Sequence, residues 1–355
     1  MRRGLMAWDA DEIPISQLHA RIERLQAAMA TAHLDALILY TNFVRSAAVS
    51  HLTAFSPYWA DGILLMPLRG EPVFATTLSK RVGSWIQSVK PVGDLVTSPT
   101  PGTVLAQRLA AGNVRRVGIL ELDDFPAGLY GELSTALPGV EIVDASEVFA
   151  AARAPIDRVE RQLLLHAENI ANGALTGLQL NASTDVGSAV GMIEKQARLH
   201  GAEEAYIAIA PDLDKDRRFL RLSGTRPLGR RFAIRATVAY KGAWIRHTQT
   251  YSSDARDLAA IARADAWFRT FVAQMDPAKP LSNQISTAMT EIRDAQISGW
   301  LAEAAVGTRP LAVIASSKDA APVHAPLFVL TLGMTIDGVP WSGAALAGAV
   351  LDDSP

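Results

Sequence analysis

The spacing of apolar residues changes near residue 150, and this change divides the chain into two halves of different fold class. In the first half, short apolar runs alternate with segments of helical spacing. The run Ala36–Tyr40 predicts a buried strand, which Thr41 and Asn42 end. Similar runs predict strands at 62–66, 72–75, 117–120 and 140–143. Strands that alternate with helices are typical of a layered α/β domain.

The second half begins after a boundary at Ala151–Pro155. Two helices follow it, and then Arg231–Thr237 and Ala243–Tyr251 alternate in polarity around a turn at Lys241-Gly242, which predicts an antiparallel hairpin. Further helices are predicted from about 254 to 275 and from about 282 to 294, and the rest of the chain has the composition of strands. This half is therefore α+β, and we predict domains over residues 1–152 and 153–355.

Composition limits the classes of partner and the location of the protein. The 355 residues carry a formal net charge of −2, and no long basic run is present, so neither nucleic acid nor an anionic membrane is expected as a partner. No stretch reaches the roughly 18 consecutive apolar residues that a membrane span needs. The absence of cysteine excludes disulfides and thiolate zinc sites and is typical of a reducing compartment. The N-terminus turns acidic before any apolar run, so a cytoplasmic protein is expected.

Several segments, in order along the chain, resemble the creatinase, prolidase and aminopeptidase P family. The segment DALILYTNFVRSAAVSHLTAFSPY keeps the frame of that family's N-terminal "N-x-x-Y-L-T-G-F" turn at Asn42, Leu52, Thr53 and Phe55. The segments IDRVERQLLLHAENIANGAL and PLGRRFAIRATVAYKGAWIRHTQTY resemble the first helix and the first metal-binding hairpin of its catalytic domain. SGW, VHAP and LGM resemble later landmarks. The resemblance implies an α/β N-terminal domain and an α+β pita-bread C-terminal domain.

The resemblance also identifies where a metal centre should be. Peptidases of that family hold two divalent ions with two aspartates, one histidine and two glutamates, which suit manganese, cobalt or zinc. Here those positions hold no carboxylate and no imidazole: Arg235 and Arg246 stand for the aspartates, Ser316 or Ser317 for the histidine, and Val339 and the segment 343–351 for the glutamates. We therefore predict a protein without metal or other cofactor.

Arginine at both aspartate positions changes the charge that the site can bind. A guanidinium stays protonated at physiological pH and cannot ligate a cation, but two of them in one cavity would attract a carboxylate or a phosphate. Strand alternation puts Arg246, Thr248 and Thr250 on one face, together with Arg235 if the hairpin register holds. The alternative is that these arginines extend to solvent or pair with an acid across the sheet.

Further candidates come from the resemblance. His324 lies near the place of a second, non-ligand histidine and would move a proton, although a lone histidine before proline is commonly a surface residue. Asp337 could act as a base or orient His324, but Asp-Gly is also a turn signal. Tyr58, Trp59 and Trp300 could form apolar walls around the ligand or be ordinary core residues.

These residues support three hypotheses about function. The first is a metal-independent enzyme that acts on a C–N bond of a small, anionic, nitrogen-containing molecule, for which creatinase is the family precedent. The second is a non-catalytic pita-bread protein that binds a ligand or partner protein, which is favoured because PDLDKDRRFLRLSG lacks the histidine that creatinase has there. The third, an active metallopeptidase, requires ligands that the sequence lacks. The resemblance further implies a homodimer in which Tyr58 or Trp59 approaches the partner's C-terminal domain.

The purified protein should contain no stoichiometric transition metal, because none of the five ligand positions keeps a group that binds one. Elemental analysis of the protein after dialysis measures this directly. One or two manganese, zinc, cobalt or iron ions per chain would contradict the prediction.

Overall fold

The structure is a computed structural model that describes residues 8–55, 61–178, 180, 184–276, 278–318, 323, 325 and 327–348. The chain forms two compact units, Met1–Val159 and Glu160–Pro355. Their boundary lies a few residues after the predicted one at 152/153. Within the described ranges, no helix has the length and apolar character needed to cross a membrane.

The N-terminal unit is built on a six-stranded mixed sheet in the order β4-β3-β2-β1-β5-β6. Its strands are β1 (Ala36–Thr41), β2 (Gly62–Pro67), β3 (Val73–Thr76), β4 (Asp94–Thr97), β5 (Arg116–Ile119) and β6 (Glu141–Asp144). Its helices are α1 (Ile15–Thr31), α2 (Ala47–Thr53), α3 (Gly83–Val89), α4 (Pro101–Ala110), α5 (Ala127–Ala136) and α6 (Ser146–Arg153). β1 is central and apolar on both faces because helices cover both sides of a doubly layered sheet.

A buried ion pair joins the two ends of this unit. Arg21 on α1 donates from Nε and Nη2 to the two carboxylate oxygens of Asp157, at 2.7 and 3.0 Å, and its Nη1 donates to the carbonyl of His51 at 2.8 Å. The guanidinium and the carboxylate are both almost fully buried. A paired, bidentate geometry is what makes such burial tolerable, since an isolated buried charge would be strongly destabilising.

The C-terminal unit is built on a seven-stranded antiparallel sheet in the order β11-β10-β12-β13-β9-β8-β7. Its strands are β7 (Glu204–Ala210), β8 (Arg231–Tyr240), β9 (Ala243–Ser252), β10 (Ala295–Ala304), β11 (Val313–Ser316), β12 (Leu327–Ile336) and β13 (Val339–Gly348). Its helices are α7 (Arg158–Leu175), α8 (Val186–Leu199), α9 (Leu258–Gln274) and α10 (Leu281–Ala288).

Two tight turns set the register of the central strands. Lys241 and Gly242 both have positive φ between β8 and β9, and Asp337 and Gly338 both have positive φ between β12 and β13. Two consecutive residues in this region form the two-residue turn that matches the twist of antiparallel strands, and aspartate or glycine reaches it at low cost. Each turn fixes which side chains of its two strands face the same way.

The two faces of the C-terminal sheet differ in what covers them. On one face, Trp341, Leu332, Met334 and Trp300 form a core with α9, where Phe268 meets the Trp341 ring edge-on at 5.3 Å between centroids. We call this the helical face. Strand alternation places Arg235 of β8, Arg246 and Thr248 of β9, Glu303 of β10 and Thr331 of β12 on the opposite face.

Ion pairs of Arg231, at the start of β8, fix the segment 212–230 that follows β7. Arg231 donates from Nε and Nη2 to Asp257, both at 2.7 Å, and from Nη1 to Asp214 at 3.0 Å. Ser252 donates to the same Asp257 carboxylate at 2.7 Å. The hydrogen bonds from Arg231, and then that from Ser252, lower the pKa of Asp257 below its ordinary value, although burial opposes them.

The variant Asp257→Asn should lower the free energy of unfolding of the C-terminal unit by about 3 kcal/mol at neutral pH, because it removes the buried carboxylate that takes two hydrogen bonds from Arg231 and leaves only the more exposed ion pair with Asp214. Urea unfolding followed by tryptophan fluorescence measures the change. Arg256→Ala removes an exposed arginine from the neighbouring Asp254 and should leave the unfolding midpoint unchanged.

The same variant should show a defined pH dependence. Because the pKa of Asp257 is lower in the folded state than the ordinary 3.8, its contribution is complete above about pH 5 and is lost as the pH falls through the folded pKa. The stability difference between wild type and Asp257→Asn should therefore shrink on acidification. A difference that stays constant below pH 3.8 would contradict this account.

Candidate functional site

The face of the C-terminal sheet opposite the helices carries a continuous set of polar side chains. Register pairs Arg235 with Thr248, Thr248 with Ala344, and Ala344 with Thr331, so these residues share one side of four neighbouring strands. We call this the polar face. By the same pairing its polar members include Arg235, Thr237, Arg246, Thr248, Thr250, Glu303, Thr331 and Ser342.

Arg235 is the half-buried cation of the polar face. Its Nε donates to the Thr248 hydroxyl at 3.1 Å, and its guanidinium lies 4.0 Å from the centre of the Phe219 ring. Burial lowers the pKa of Arg235 to about 10, the positive charge of Arg246 acts in the same direction, and Glu303 opposes both. The group therefore remains charged at neutral pH. Within the described parts of the chain, no acid lies within ion-pair distance of it.

Arg246 is held differently, because a buried acid pairs with it. Its Nε donates to the Thr237 hydroxyl at 3.2 Å, and its Nη1 donates to Oε1 of Glu303. Glu303 is 3% exposed. Register places the two residues in one row, Arg246–Leu346–Val329–Glu303, so the arginine reaches across β13 and β12 to β10. The predicted alternative, an acid across the sheet, applies to Arg246, whereas Arg235, the other arginine of the hairpin, has no ion pair with an acid among the described residues.

The segment 212–230 folds back over the polar face. Phe219 stacks on Arg235 and packs against Ala210, Leu213 and Ala233. Arg221 lies over the Tyr206 ring at 4.5 Å from its centre, and Arg217 donates to the Thr335 hydroxyl at 2.9 Å. The segment thus adds an aromatic ring and two more cations to the rim of this face. These contacts limit the access of water to Arg235.

Two predicted site residues lie elsewhere, which corrects the sequence analysis. Trp300 is on the helical face, 8% exposed, inside the core with α9, because its neighbour Leu301 takes the polar side of β10. Asp337 forms the turn between β12 and β13 and pairs with Arg263 of α9 at 2.9 Å between Nη1 and Oδ2. Its position agrees with the turn interpretation, and its carboxylate is engaged by Arg263.

Three predicted residues, Tyr58, Trp59 and His324, lie outside the described residues. Thr248 lies where it was expected, beside Arg235. Sequence reasoning missed Glu303 and Thr331. The signal for Glu303 was a single acid in the apolar strand sequence GWLAEAA, which is unusual for a buried strand unless the acid has a partner.

The polar face does not fit the metal centre that the resemblance implies. Arg235 and Arg246 occupy the hairpin positions of the expected aspartates, and Glu303 is committed to Arg246. Across the residues that the structure describes, no three histidine, aspartate or glutamate side chains are grouped as a metal ion would require. Two guanidinium groups beside one carboxylate repel a divalent cation and attract an anion.

Comparison with known proteins places the fold. Residues 21–154 match the family model of the creatinase/prolidase N-terminal domain. An X-Pro aminopeptidase from Thermotoga maritima superimposes with a TM-score of 0.70 and 14% identity, over 93% of this chain and 98% of its own. An Xaa-Pro dipeptidase from Bacillus anthracis superimposes with a TM-score of 0.70 and 15% identity, over 94% of this chain and 95% of its own. A variant of aminopeptidase P from Escherichia coli superimposes with a TM-score of 0.68 and 13% identity, over 93% of this chain and 92% of its own.

No curated protein matches the sequence. At 13–15% identity, the likeness to solved structures establishes the fold and not the activity. The prediction of an α/β N-terminal domain followed by an α+β pita-bread domain is confirmed.

The pairing of Arg246 with Glu303 predicts strong energetic coupling between them. Arg246→Met should destabilise the C-terminal unit by about 3 kcal/mol because it leaves the buried Glu303 unpaired. Glu303→Gln in the Arg246→Met background should recover about 1 kcal/mol or more of that loss. Urea unfolding of the four proteins in the cycle gives the coupling energy. Arg246→Met and Asp257→Asn share no partner and should be additive, whereas additivity for Arg246 and Glu303 would contradict the pairing.

Proposed function

We propose that this protein is a metal-independent hydrolase, on the ground that residues 21–154 match the creatinase/prolidase N-terminal domain model and that the fold is similar to those of an X-Pro aminopeptidase and an Xaa-Pro dipeptidase. It acts on a C–N bond of a small, anionic, nitrogen-containing molecule that binds on the polar face. The proposal keeps the hydrolytic character of the fold but replaces the metal by arginine as the positive charge of the site.

The observation that carries the proposal is the state of Arg235. Its guanidinium is largely removed from water, fixed by Thr248 and Phe219, and has no acid within ion-pair distance in the described ranges. An unpaired buried charge is costly to keep. A ligand carboxylate would offset that cost with charge-assisted hydrogen bonds to the terminal nitrogens, and the Phe219 ring would hold the guanidinium plane in place.

Hydrolysis of a C–N bond needs a water molecule that adds to carbon and a proton for the departing nitrogen. With the carboxylate of the substrate fixed by Arg235, the reacting carbon is held at one place on the polar face, and this positioning supplies much of the rate enhancement. His324 remains our proposed acid–base group, since an imidazole titrates near neutrality. The segment 212–230 would shield the reaction from bulk water.

A second candidate function is binding without catalysis. It is favoured by the engagement of Arg246 with Glu303 and by the pairing of Asp337 with Arg263, which commit both of these carboxylates to arginines. The same anion would bind at Arg235 in both cases. The two functions therefore differ in turnover and not in affinity.

Two further proposals rest on the resemblance. The protein would form a homodimer, in which Tyr58 or Trp59 approaches the partner's C-terminal domain, and it would act in the cytoplasm, as its cysteine-free composition indicates. Light scattering at micromolar concentration tests the first of these, and a monomer would reject it.

Arg235→Met should weaken the binding of small carboxylates by about tenfold to a hundredfold, because one charge-assisted contact contributes roughly 1.5–3 kcal/mol. Calorimetric titration of a panel of amino, amido and guanidino carboxylates, with their uncharged amides for comparison, measures the effect. Arg293→Met, which removes an exposed arginine of the same unit, is the matched control and should bind like wild type. Equal affinity of Arg235→Met and wild type would reject the anion site.

Turnover separates the two candidate functions. Each molecule that binds wild type is incubated with it, and the release of ammonia or a primary amine is followed after removal of metal by chelation. The hydrolase is supported if the release is slower in Arg235→Met than in wild type and is unchanged by chelation. Tight binding with no release over the whole panel supports the binding protein instead.

A further inference from the structure

Glu303 has one carboxylate oxygen without a hydrogen bond from the described residues, unlike Asp157 and Asp257, two other buried acids that pair with an arginine. Arg21 engages both oxygens of Asp157, and Arg231 engages both oxygens of Asp257, each through a two-pronged contact. Arg246 reaches only Oε1 of Glu303. Oε2 is buried and accepts no hydrogen bond from any residue that the structure describes. Buried polar atoms in folded proteins are nearly always satisfied, so this atom requires an explanation.

A second unsatisfied atom lies next to it on the same face. The Thr331 hydroxyl is buried and has no hydrogen-bond partner among the described residues. Glu303 pairs with Val329, two residues from Thr331 on the adjacent strand, so Glu303 and Thr331 are diagonal neighbours. The Cα atoms of such neighbours are about 7–8 Å apart and their Cβ atoms somewhat closer, so both side chains can contact one small group between them. Two neighbouring oxygen atoms, Oε2 of Glu303 and Oγ1 of Thr331, therefore both lack a hydrogen-bond donor among the described residues.

Glu168 shows that a half-satisfied glutamate alone does not indicate a site. Its Oε1 contacts Nδ1 of His247 at 2.8 Å, and its Oε2 is also buried without a described partner. Glu168 belongs to α7 and meets the helical side of β9, since His247 alternates with Arg246 and Thr248. It therefore lies away from Arg235. What distinguishes Glu303 is its place beside Thr331 on the face that carries the unpaired arginine.

We propose that Glu303 Oε2 and the Thr331 hydroxyl form a subsite for a positively charged nitrogen of the ligand, a protonated amine or a guanidinium. This inference rests on the proposed anion site at Arg235. It narrows the ligand to a dipolar molecule with a carboxylate at one end and a cationic nitrogen at the other. The nitrogen donates to Oε2 and Oγ1, while the carboxylate accepts from Arg235.

The charges of the polar face agree with this class of ligand. Arg235, Arg246 and Glu303 together carry one excess positive charge, and they lie close together because Arg235 and Arg246 are on the paired strands β8 and β9 and Arg246 forms an ion pair with Glu303. A ligand carboxylate cancels the excess. The cationic nitrogen then pairs with the free side of Glu303 without displacing Arg246, so every charge gains an opposite neighbour.

The test compares ω-amino carboxylates of increasing chain length with the parent carboxylates that lack the amine, by calorimetric titration of the intact protein. Wild type should prefer the best amino carboxylate over its parent by at least about tenfold. Glu303→Gln should abolish this preference while it still binds the parent compound, because Arg246 then loses its acid and the face becomes more positive. Thr331→Val, which keeps the size of the side chain, should reduce the preference severalfold.

Glu168→Gln is the matched control, since it removes a half-satisfied carboxylate from the other side of the same sheet, and it should keep the full preference of wild type. Equal binding of amino and parent carboxylates by wild type would overturn this subsite and leave the anion site standing. Failure of wild type to bind any carboxylate would overturn both. If Glu303→Gln does not fold, Thr331→Val by itself tests the subsite. An unchanged preference of Thr331→Val for amino over parent carboxylates would then reject the subsite.

Discussion

Antiparallel pairing of the strands of the C-terminal sheet is the constraint on which the rest of this domain depends. Because side chains alternate along every strand, one register sorts the whole sheet into a helical face and a polar face. The turns at Lys241-Gly242 and Asp337-Gly338 fix that register at two places. The same pairing that buries Trp341 against α9 therefore brings Arg235 and Thr248 together on the opposite side.

The polar face balances its charges unequally. Arg246 and Glu303 neutralise one another across two intervening strands, whereas Arg235 depends on a hydroxyl and an aromatic ring. Burial of an uncompensated guanidinium opposes folding, and proteins commonly keep such costs at sites where a ligand relieves them. Arg235 needs a hydrogen-bond acceptor of negative charge, and the free oxygen of Glu303 needs a donor of positive charge. A dipolar ligand supplies both. This complementarity links the proposed function to the proposed subsite.

Some local elements escaped sequence reasoning for identifiable reasons. β4 (Asp94–Thr97) and β7 (Glu204–Ala210) were not predicted, because β4 is short and carries polar residues, and β7 lies close after a strongly helical pattern. Asp337 and Trp300 were assigned to the site by resemblance, but a turn residue with positive φ and a core tryptophan serve the fold first. A register shift between Ile297 and Gly299 decides on which face Trp300 lies, and a local pattern does not show such a bulge.

The sequence by itself determined the two-domain organisation, the α/β and α+β classes, the β8–β9 hairpin, and the presence of two arginines in that hairpin where the resemblance implies aspartates. Each of these follows from local spacing or from residue identity at a recognisable position. Only the tertiary structure decided that Glu303 pairs with Arg246, that Thr331 lies beside it, and that Phe219 covers Arg235. These contacts join strands and loops far apart in the chain, and strand order across a sheet is set by the packing of the whole domain rather than by any one segment.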